Sequence, residues 1–214
     1  MKKQTIESIL KHKIIVIIRK VESPYIIPLA QALYDGGVRL IEVTFDQSSP
    51  TGNDDTSQAI RSINDYFGDA MCIGAGTVMT TLQAQIASDA GAKYLISPNT
   101  DIEIIQKTTE LGLVSIPGAI TPTEATIAYD SGADFVKLFP AGEMGIHYVK
   151  AIMAPLNHIP FLAVGGIDET NIEQFLTIGV KGFGIGSNII KRSLIKEGKF
   201  EEITELAKRF IKII

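Results

Sequence analysis

Two charged residues stand inside apolar runs where the chain should be packing a core. Lys137 lies within Phe135-Val136-Lys137-Leu138-Phe139-Pro140, and Glu42 within Leu40-Ile41-Glu42-Val43-Thr44-Phe45. Burial disfavours the ammonium form of a lysine and lowers its pKa. A neutral amine attacks carbonyl carbon and forms a Schiff base. A partly desolvated carboxylate suits proton transfer near neutral pH. The plainer readings are a lysine snorkelling to water from a sheet edge and a glutamate in a structural ion pair. Both residues fall near the C-terminal ends of their runs, and that coincidence favours chemistry.

Other polar groups sit at similar run ends. Arg19 follows Ile14–Ile18, where its planar fork suits a carboxylate or phosphate. Thr77 follows Ile73-Gly74-Ala75-Gly76 and offers a hydroxyl to a substrate carboxylate; the alternative is a turn-stabilising threonine. Two glycine turns, Val164-Gly165-Gly166-Ile167 and Gly184-Ile185-Gly186-Ser187, close the last two apolar runs. Glycines let backbone N–H groups approach a phosphate closely. No metal is expected. His12, His147 and His158 show no ligand spacing, and no carboxylate cluster supplies an octahedral set. His147 reads as a solvated or capping histidine. There is no Walker sequence and no nucleophile elbow.

These groups need elements to hold them, and the chain supplies a repeat. A glycine follows an amphipathic stretch and precedes a short apolar run at residues 35–43, 89–97, 111–118, 131–139 and 178–186. Such a glycine reads as a helix C-cap, and the run after it as a strand buried on both faces. The runs are Ile14–Ile18, Leu40–Thr44, Cys72–Ala75, Tyr94–Ile96, Leu113–Ile116, Phe135–Leu138, Phe161–Val164 and Gly182–Ile185. Ser23-Pro24 opens one intervening helix, and Thr121-Pro122-Thr123-Glu124 is a capping box. Thr80, Asp101 and Asp168 are expected to cap three more. The pattern predicts one α/β domain over residues 1–214, a (β/α)8 TIM barrel with an extra N-terminal helix over 4–12. An open doubly wound sheet is the second choice. In barrels the functional residues lie at the C-terminal ends of strands, where the groups above fall.

Composition bounds the partners. The chain has 214 residues, 45% hydrophobic and 21% charged, with a net charge of −4. That balance excludes a disordered chain and recruits neither nucleic acid nor an anionic membrane. One cysteine excludes an internal disulfide, and Cys72 reads as an inert core residue in a reducing compartment. No signal peptide or membrane span is expected, so the expected location is the cytoplasm.

The sequence resembles the 2-keto-3-deoxy-6-phosphogluconate aldolases and their 4-hydroxy-2-oxoglutarate and 6-phosphogalactonate relatives, from about residue 4 to 190. The resemblance rests on Gly36-Gly37-Val38 leading to Ile41-Glu42-Val43-Thr44, and on Ile73-Gly74-Ala75-Gly76-Thr77-Val78. It also rests on Ile96-Ser97-Pro98-Asn99, Val136-Lys137-Leu138-Phe139-Pro140, Gly165-Gly166-Ile167 and Gly186-Ser187. It implies a class I aldolase that releases pyruvate and glyceraldehyde 3-phosphate, with no cofactor. Lys137 matches the Schiff-base lysine and Glu42 the general acid/base. Arg19 and Thr77 match residues that hold the 2-oxo acid, and Pro98, Phe139 and Val164 join the substrate-binding set. Gly165, Gly166, Gly186 and Ser187 match the phosphate site. A homotrimer is implied, as is a 2-oxo acid phosphate substrate.

Three departures bear on substrate. Many gluco-type members carry arginine four residues after the glutamate, where this chain has Asp46. The loop from Phe45 to Asp55 is long and acidic and is expected to border the site, disfavouring a second anion. Val164 stands where gluco-type members usually have threonine and galactonate-type members valine. 6-Phosphogalactonate and unphosphorylated 4-hydroxy-2-oxoglutarate therefore stay open as substrates. A phosphosugar epimerase or isomerase, or a non-catalytic binder, are the readings outside the family.

Overall fold

The computed structural model describes residues 1–214. Nine parallel strand segments form a nearly closed barrel: β1 (Ile14–Ile18), β2 (Leu40–Thr44), β3 (Cys72–Gly76), β4 (Tyr94–Ile96), β5 (Val114–Ile116), β6 (Gly118–Ala119), β7 (Val136–Leu138), β8 (Phe161–Val164) and β9 (Gly182–Ile185). Around the ring the order is β5-β4-β3-β2-β1-β9-β8-β7-β6. Helix α1 (Lys2–His12) precedes β1. The helices that follow in chain order are α2 (Ser23–Asp35), α3 (Gly52–Phe67), α4 (Thr81–Asp89), α5 (Ile102–Glu110) and α6 (Pro122–Asp130). After β7 come α7 (Ala141–Met144), α8 (Ile146–Met153), α9 (Ile172–Thr177), α10 (Arg192–Lys196) and α11 (Phe200–Ile213). No helix is long and apolar enough to cross a membrane.

The five glycine repeats are five copies of one helix ending. Val38 N–H bonds Leu33 C=O, and Ala92, Leu113, Ala133 and Val180 repeat that bond to Ala87, Thr108, Ala128 and Phe175. This is the six-to-one closure of a Schellman motif. It needs a left-handed residue, and Gly37 (φ 91°) and Gly91 (φ 93°) supply it without a Cβ penalty.

Eight strands are expected from the sequence and nine segments are found. The difference is Pro117. It has no N–H to donate, so the fifth strand breaks into β5 and β6 on either side of it. β5 pairs with β4, while β6 pairs with β7. Lys137 N–H still reaches Pro117 C=O at 2.9 Å and Asp134 N–H reaches Ser115 C=O at 3.0 Å, so the segment leading into β7 stays bonded to β5 across the break.

Residue alternation divides the apolar side chains between two cores. Ile15, Leu40, Tyr94, Val114, Phe135 and Leu162 face the barrel interior, where Ile9 of α1 joins them. The residues between them, such as Val16, Ile41 and Val136, face the surrounding helices in a second and larger core. Cys72 borders the interior core, and burial pushes its thiol up to about 11, which leaves it unreactive.

Three expected caps are present. Thr80, Asp101 and Thr121 accept hydrogen bonds from the first turns of α4, α5 and α6, and Thr121 and Glu124 complete a capping box. Asp168 does not cap its helix. Its carboxylate accepts from Thr170 N–H and Oγ1, and α9 starts later, after Asn171. An Asx turn and an N-cap draw on the same residue type, so the sequence does not separate them.

Candidate active site

Alternation that buries Leu40 and Phe135 inside the barrel carries the residues two positions on inward as well. Those residues are Glu42 on β2 and Lys137 on β7. The two strands stand across the ring from each other. β1, β9 and β8 separate them one way, and β3, β4 and the β5–β6 pair the other. Glu42 is 2% exposed and Lys137 7%. Neither side chain makes a hydrogen bond or ion pair, yet no polar side-chain atom of the chain is both fully buried and unpartnered. Both charged tips therefore meet open space in the upper barrel.

Glycines make that space. A Cβ on Gly76 of β3 would collide with the Glu42 carboxylate. One on Gly74 would collide with the ring of Tyr94, whose hydroxyl donates to Ile41 C=O at 2.7 Å. Burial raises the Glu42 carboxyl, and the charges of Lys137 and Arg19 pull it partly back. Burial lowers Lys137, Glu42 raises it, and Arg19 lowers it again. Each shift brings the group toward the state it needs for proton transfer or nucleophilic attack.

Arg19 and Thr77 meet above this pair. Each is the first residue past its strand, and Arg19 Nη2 donates to Thr77 Oγ1 at 3.5 Å. Thr77 has φ 54°, a strained backbone for a β-branched residue. A network the sequence did not disclose surrounds it. Gln47 Nε2 donates to Thr77 C=O at 2.8 Å, and Gln83 Oε1 accepts from Met79 N–H at 2.8 Å. The buried Gln83 amide also donates to Gln47 and Asn53.

A cleft of about 450 Å³ opens beside Arg19. Phe139, Val164, Gly165, Gly166, Gly186 and Ser187 line it. The Phe139 ring also lies 4.9 Å from Lys137 Nζ, which links the cleft to the interior pair. The N–H groups of Gly165, Gly166, Ile167, Gly186, Ser187 and Asn188 donate to no backbone carbonyl. Asn171 and Asn188 side chains hold the carbonyls of Gly166 and Ile167 at 2.8 and 2.7 Å. Backbone N–H groups left unpaired in this way are donors of the kind that an anion takes up. Arg192, which no sequence motif singles out, lines the same cleft.

Not every expected residue joins this group. Pro98, at the end of β4, packs its carbonyl against Gly118 and is not part of the cleft lining. Asp46 does not face the cleft. It pairs with Lys20 at 3.0 Å and accepts from Ser48, and these bonds hold its carboxyl down to about 2. With Asp55 it lines a separate cavity of about 370 Å³ between α2 and α3. The expected acidic loop is also shorter, because α3 begins at Gly52 and takes Asp54 and Asp55 into its first turn, where negative charge is favoured. Gln47 alone reaches from this loop to the site. His147 is exposed on α8, and no group of three His, Cys, Asp or Glu side chains converges as a metal set.

The assembly brings together a buried amine whose pKa burial lowers, a buried carboxyl whose pKa burial raises, and a cleft with unpaired backbone N–H groups beside them. A family model described as "Aldolase: KDPG and KHG aldolase" matches residues 6–206. The chain is 35% identical over 161 residues to the probable 2-dehydro-3-deoxy-6-phosphogalactonate aldolase of Rhizobium meliloti (strain 1021), covering 75% of this chain and 73% of that protein. It is 32% identical over 199 residues to the KHG/KDPG aldolase of Escherichia coli (strain K12), covering 92% and 89%. The structure is similar to that of a KDPG aldolase from Legionella pneumophila with pyruvate captured at low pH as a covalent carbinolamine intermediate. The TM-score is 0.85 at 31% identity, covering 95% of this chain and 96% of that one.

Proposed function

The chain belongs to the KDPG and KHG aldolase family, and we propose that it cleaves 2-dehydro-3-deoxy-6-phosphogluconate to pyruvate and glyceraldehyde 3-phosphate through a Schiff base on Lys137. One observation carries the reading. A buried lysine with a lowered pKa and a buried glutamate with a raised one face the same interior beneath an anion cleft. In this reading residues 1–214 act as one aldolase domain. β5 and β6 count as one strand bent at Pro117, which gives the eight units of a (β/α)8 barrel, with α1 as the additional N-terminal helix.

The chemistry follows from the groups. Neutral Lys137 attacks C2 of the 2-oxo acid to give a carbinolamine, which loses water to a protonated imine. Glu42, directly or through a water, takes the proton of the C4 hydroxyl. The C3–C4 bond breaks, its electron pair moves into the imine, and glyceraldehyde 3-phosphate leaves. The remaining enamine takes a proton at C3, and water hydrolyses the imine to pyruvate and free Lys137. The electron sink is the imine, so the steps call on no metal or cofactor. Arg19 and Thr77 hold the carboxylate end. The N–H groups of the Gly165-Gly166 and Gly186-Ser187 turns hold the phosphate. Pro98 stays in the reading only as part of the wall near β4.

A second substrate reading rests on Val164. It lines the cleft and has no hydrogen bond to offer a substrate hydroxyl. A pocket built that way favours the epimer whose C4 hydroxyl points elsewhere, which is the 6-phosphogalactonate series. 4-Hydroxy-2-oxoglutarate, giving pyruvate and glyoxylate, is the smaller companion substrate. Pyruvate release from each acid, followed with lactate dehydrogenase and NADH, tests the set. Turnover of the gluconate epimer upholds the proposal, and turnover of the galactonate epimer alone replaces it with the second reading. No pyruvate from any of them contradicts it. The reading includes a cytoplasmic homotrimer, which would show a solution mass three times the 23.2 kDa of the chain.

A further inference from the structure

We propose that Arg192 is a specificity-determining residue that selects the phosphorylated substrate, by placing a second cation in the cleft lining beside Arg19. The proposal rests on the aldolase reading above. The cleft lining holds two cations, Arg19 and Arg192, and no carboxylate, in a chain whose net charge is −4. The two arginines differ in their partners. Arg19 bonds Thr77 and acts electrostatically on both Lys137 and Glu42. Arg192 is not among the charges that act on either, and it shares the lining with Gly166, Ser187 and Asn188. It also takes no part in the ion pairs of the chain, which leaves its guanidinium donors free.

The chemistry that would use this arrangement is a molecule with two anionic ends. The unpaired N–H groups of the two glycine turns supply short, directional bonds to phosphate oxygens. They carry only partial charge, so a dianion gains more from a nearby guanidinium than they alone provide. A neutral hydroxyl at the same end gains little from it. Arg192 therefore separates a phosphorylated acid from its unphosphorylated counterpart, whereas the turns alone discriminate less.

The test compares wild type, R192A and R192K. KM and kcat are measured on the phosphorylated epimer that wild type turns over and on the same acid without phosphate. Inorganic phosphate is titrated as a ligand of each protein. In R192A, KM for the phosphorylated acid and Kd for phosphate are expected to rise about tenfold, the loss of one charge-assisted hydrogen bond. kcat, KM for the unphosphorylated acid and the pyruvate–borohydride adduct on Lys137 are expected to stay the same, and R192K to recover part of the loss. A structural role for Arg192 would move both substrates together, and that result overturns the proposal, as does an unchanged KM. Wild type that forms no pyruvate adduct overturns the aldolase reading and this proposal with it. Wild type that forms the adduct, with R192A indifferent to phosphate, overturns only the assignment of Arg192.

Discussion

The Glu42 carboxylate occupies the place where a side chain on Gly76 would stand. Gly76 is thus a packing requirement of the site rather than of the turn that follows it. In the G76A variant the new methyl must push Glu42 aside. Proton transfer is then misplaced, and kcat for cleavage is expected to fall about 100-fold, at the lower end of what a general acid/base contributes. Trapping of pyruvate on Lys137 with borohydride should persist in the same variant. Activity within a few-fold of wild type would show that Glu42 does not depend on this gap.

The acid limb of imine formation reads the charges around Lys137. Glu42 raises the lysine and Arg19 lowers it. Replacing Glu42 by Gln removes the raising charge, so the limb should move to lower pH. Replacing Arg19 by Met should move it to higher pH. Rates of pyruvate adduct formation across pH in E42Q and R19M check the two signs. Coincident limbs would contradict the electrostatic link between the three residues.

The same pair should mark stability with opposite slopes. Lys137 is lowered below its ordinary 10.5, so the unfolded chain binds that proton more tightly. Stability then rises as pH climbs from the folded value toward 10.5. Glu42 is raised above 4.5, so its contribution is complete below that pH and is lost as pH rises through the folded value. E42Q removes the loss. Its Tm should match wild type near pH 4 and exceed it at neutral pH. Parallel Tm–pH curves for the two proteins would count against a buried, raised carboxyl.

Gln83 is expected to act on Thr77 from a distance. Replacing it by Leu leaves Met79 N–H and the Gln47 amide without their partner. Chemical denaturation should show a loss of about 1–3 kcal/mol, the cost of unpaired buried polar groups. With Thr77 less firmly held, the pyruvate concentration needed for half-maximal trapping should rise. A variant as stable as wild type would mean that the network does not hold the strained backbone.

Asp46 is expected to be a bystander. It spends its charge on Lys20 and Ser48, outside the cleft. In D46A, kcat/KM should stay within about threefold of wild type, as for other exposed ion pairs. A large loss would bring the loop after β2 back into the site.

Strands and helix endings were legible in the sequence because each is local: an apolar run, and a glycine two residues past a helix. Lys137 and Glu42 were legible because a charge inside such a run is costly to bury and seldom stands there without a role. Pro117 hid the division of the fifth strand, since one missing N–H matters only once its neighbours on both sides are known. Gln83 and Arg192 were invisible for a related reason. Nothing near Gln83 in sequence points to Thr77, and Arg192 lies past the strand ends, at the start of a short helix where a surface arginine is commonplace. The unpaired N–H groups beside Gly165 and Gly186 are a property of backbone pairing that no residue type records.

Incubation with pyruvate and sodium borohydride, followed by intact and peptide mass measurement, tests the central claim most directly. A reduced pyruvate adduct on Lys137, absent in K137M, is the predicted result. Folded protein that carries no adduct, or carries it on another lysine, would contradict the Schiff-base account.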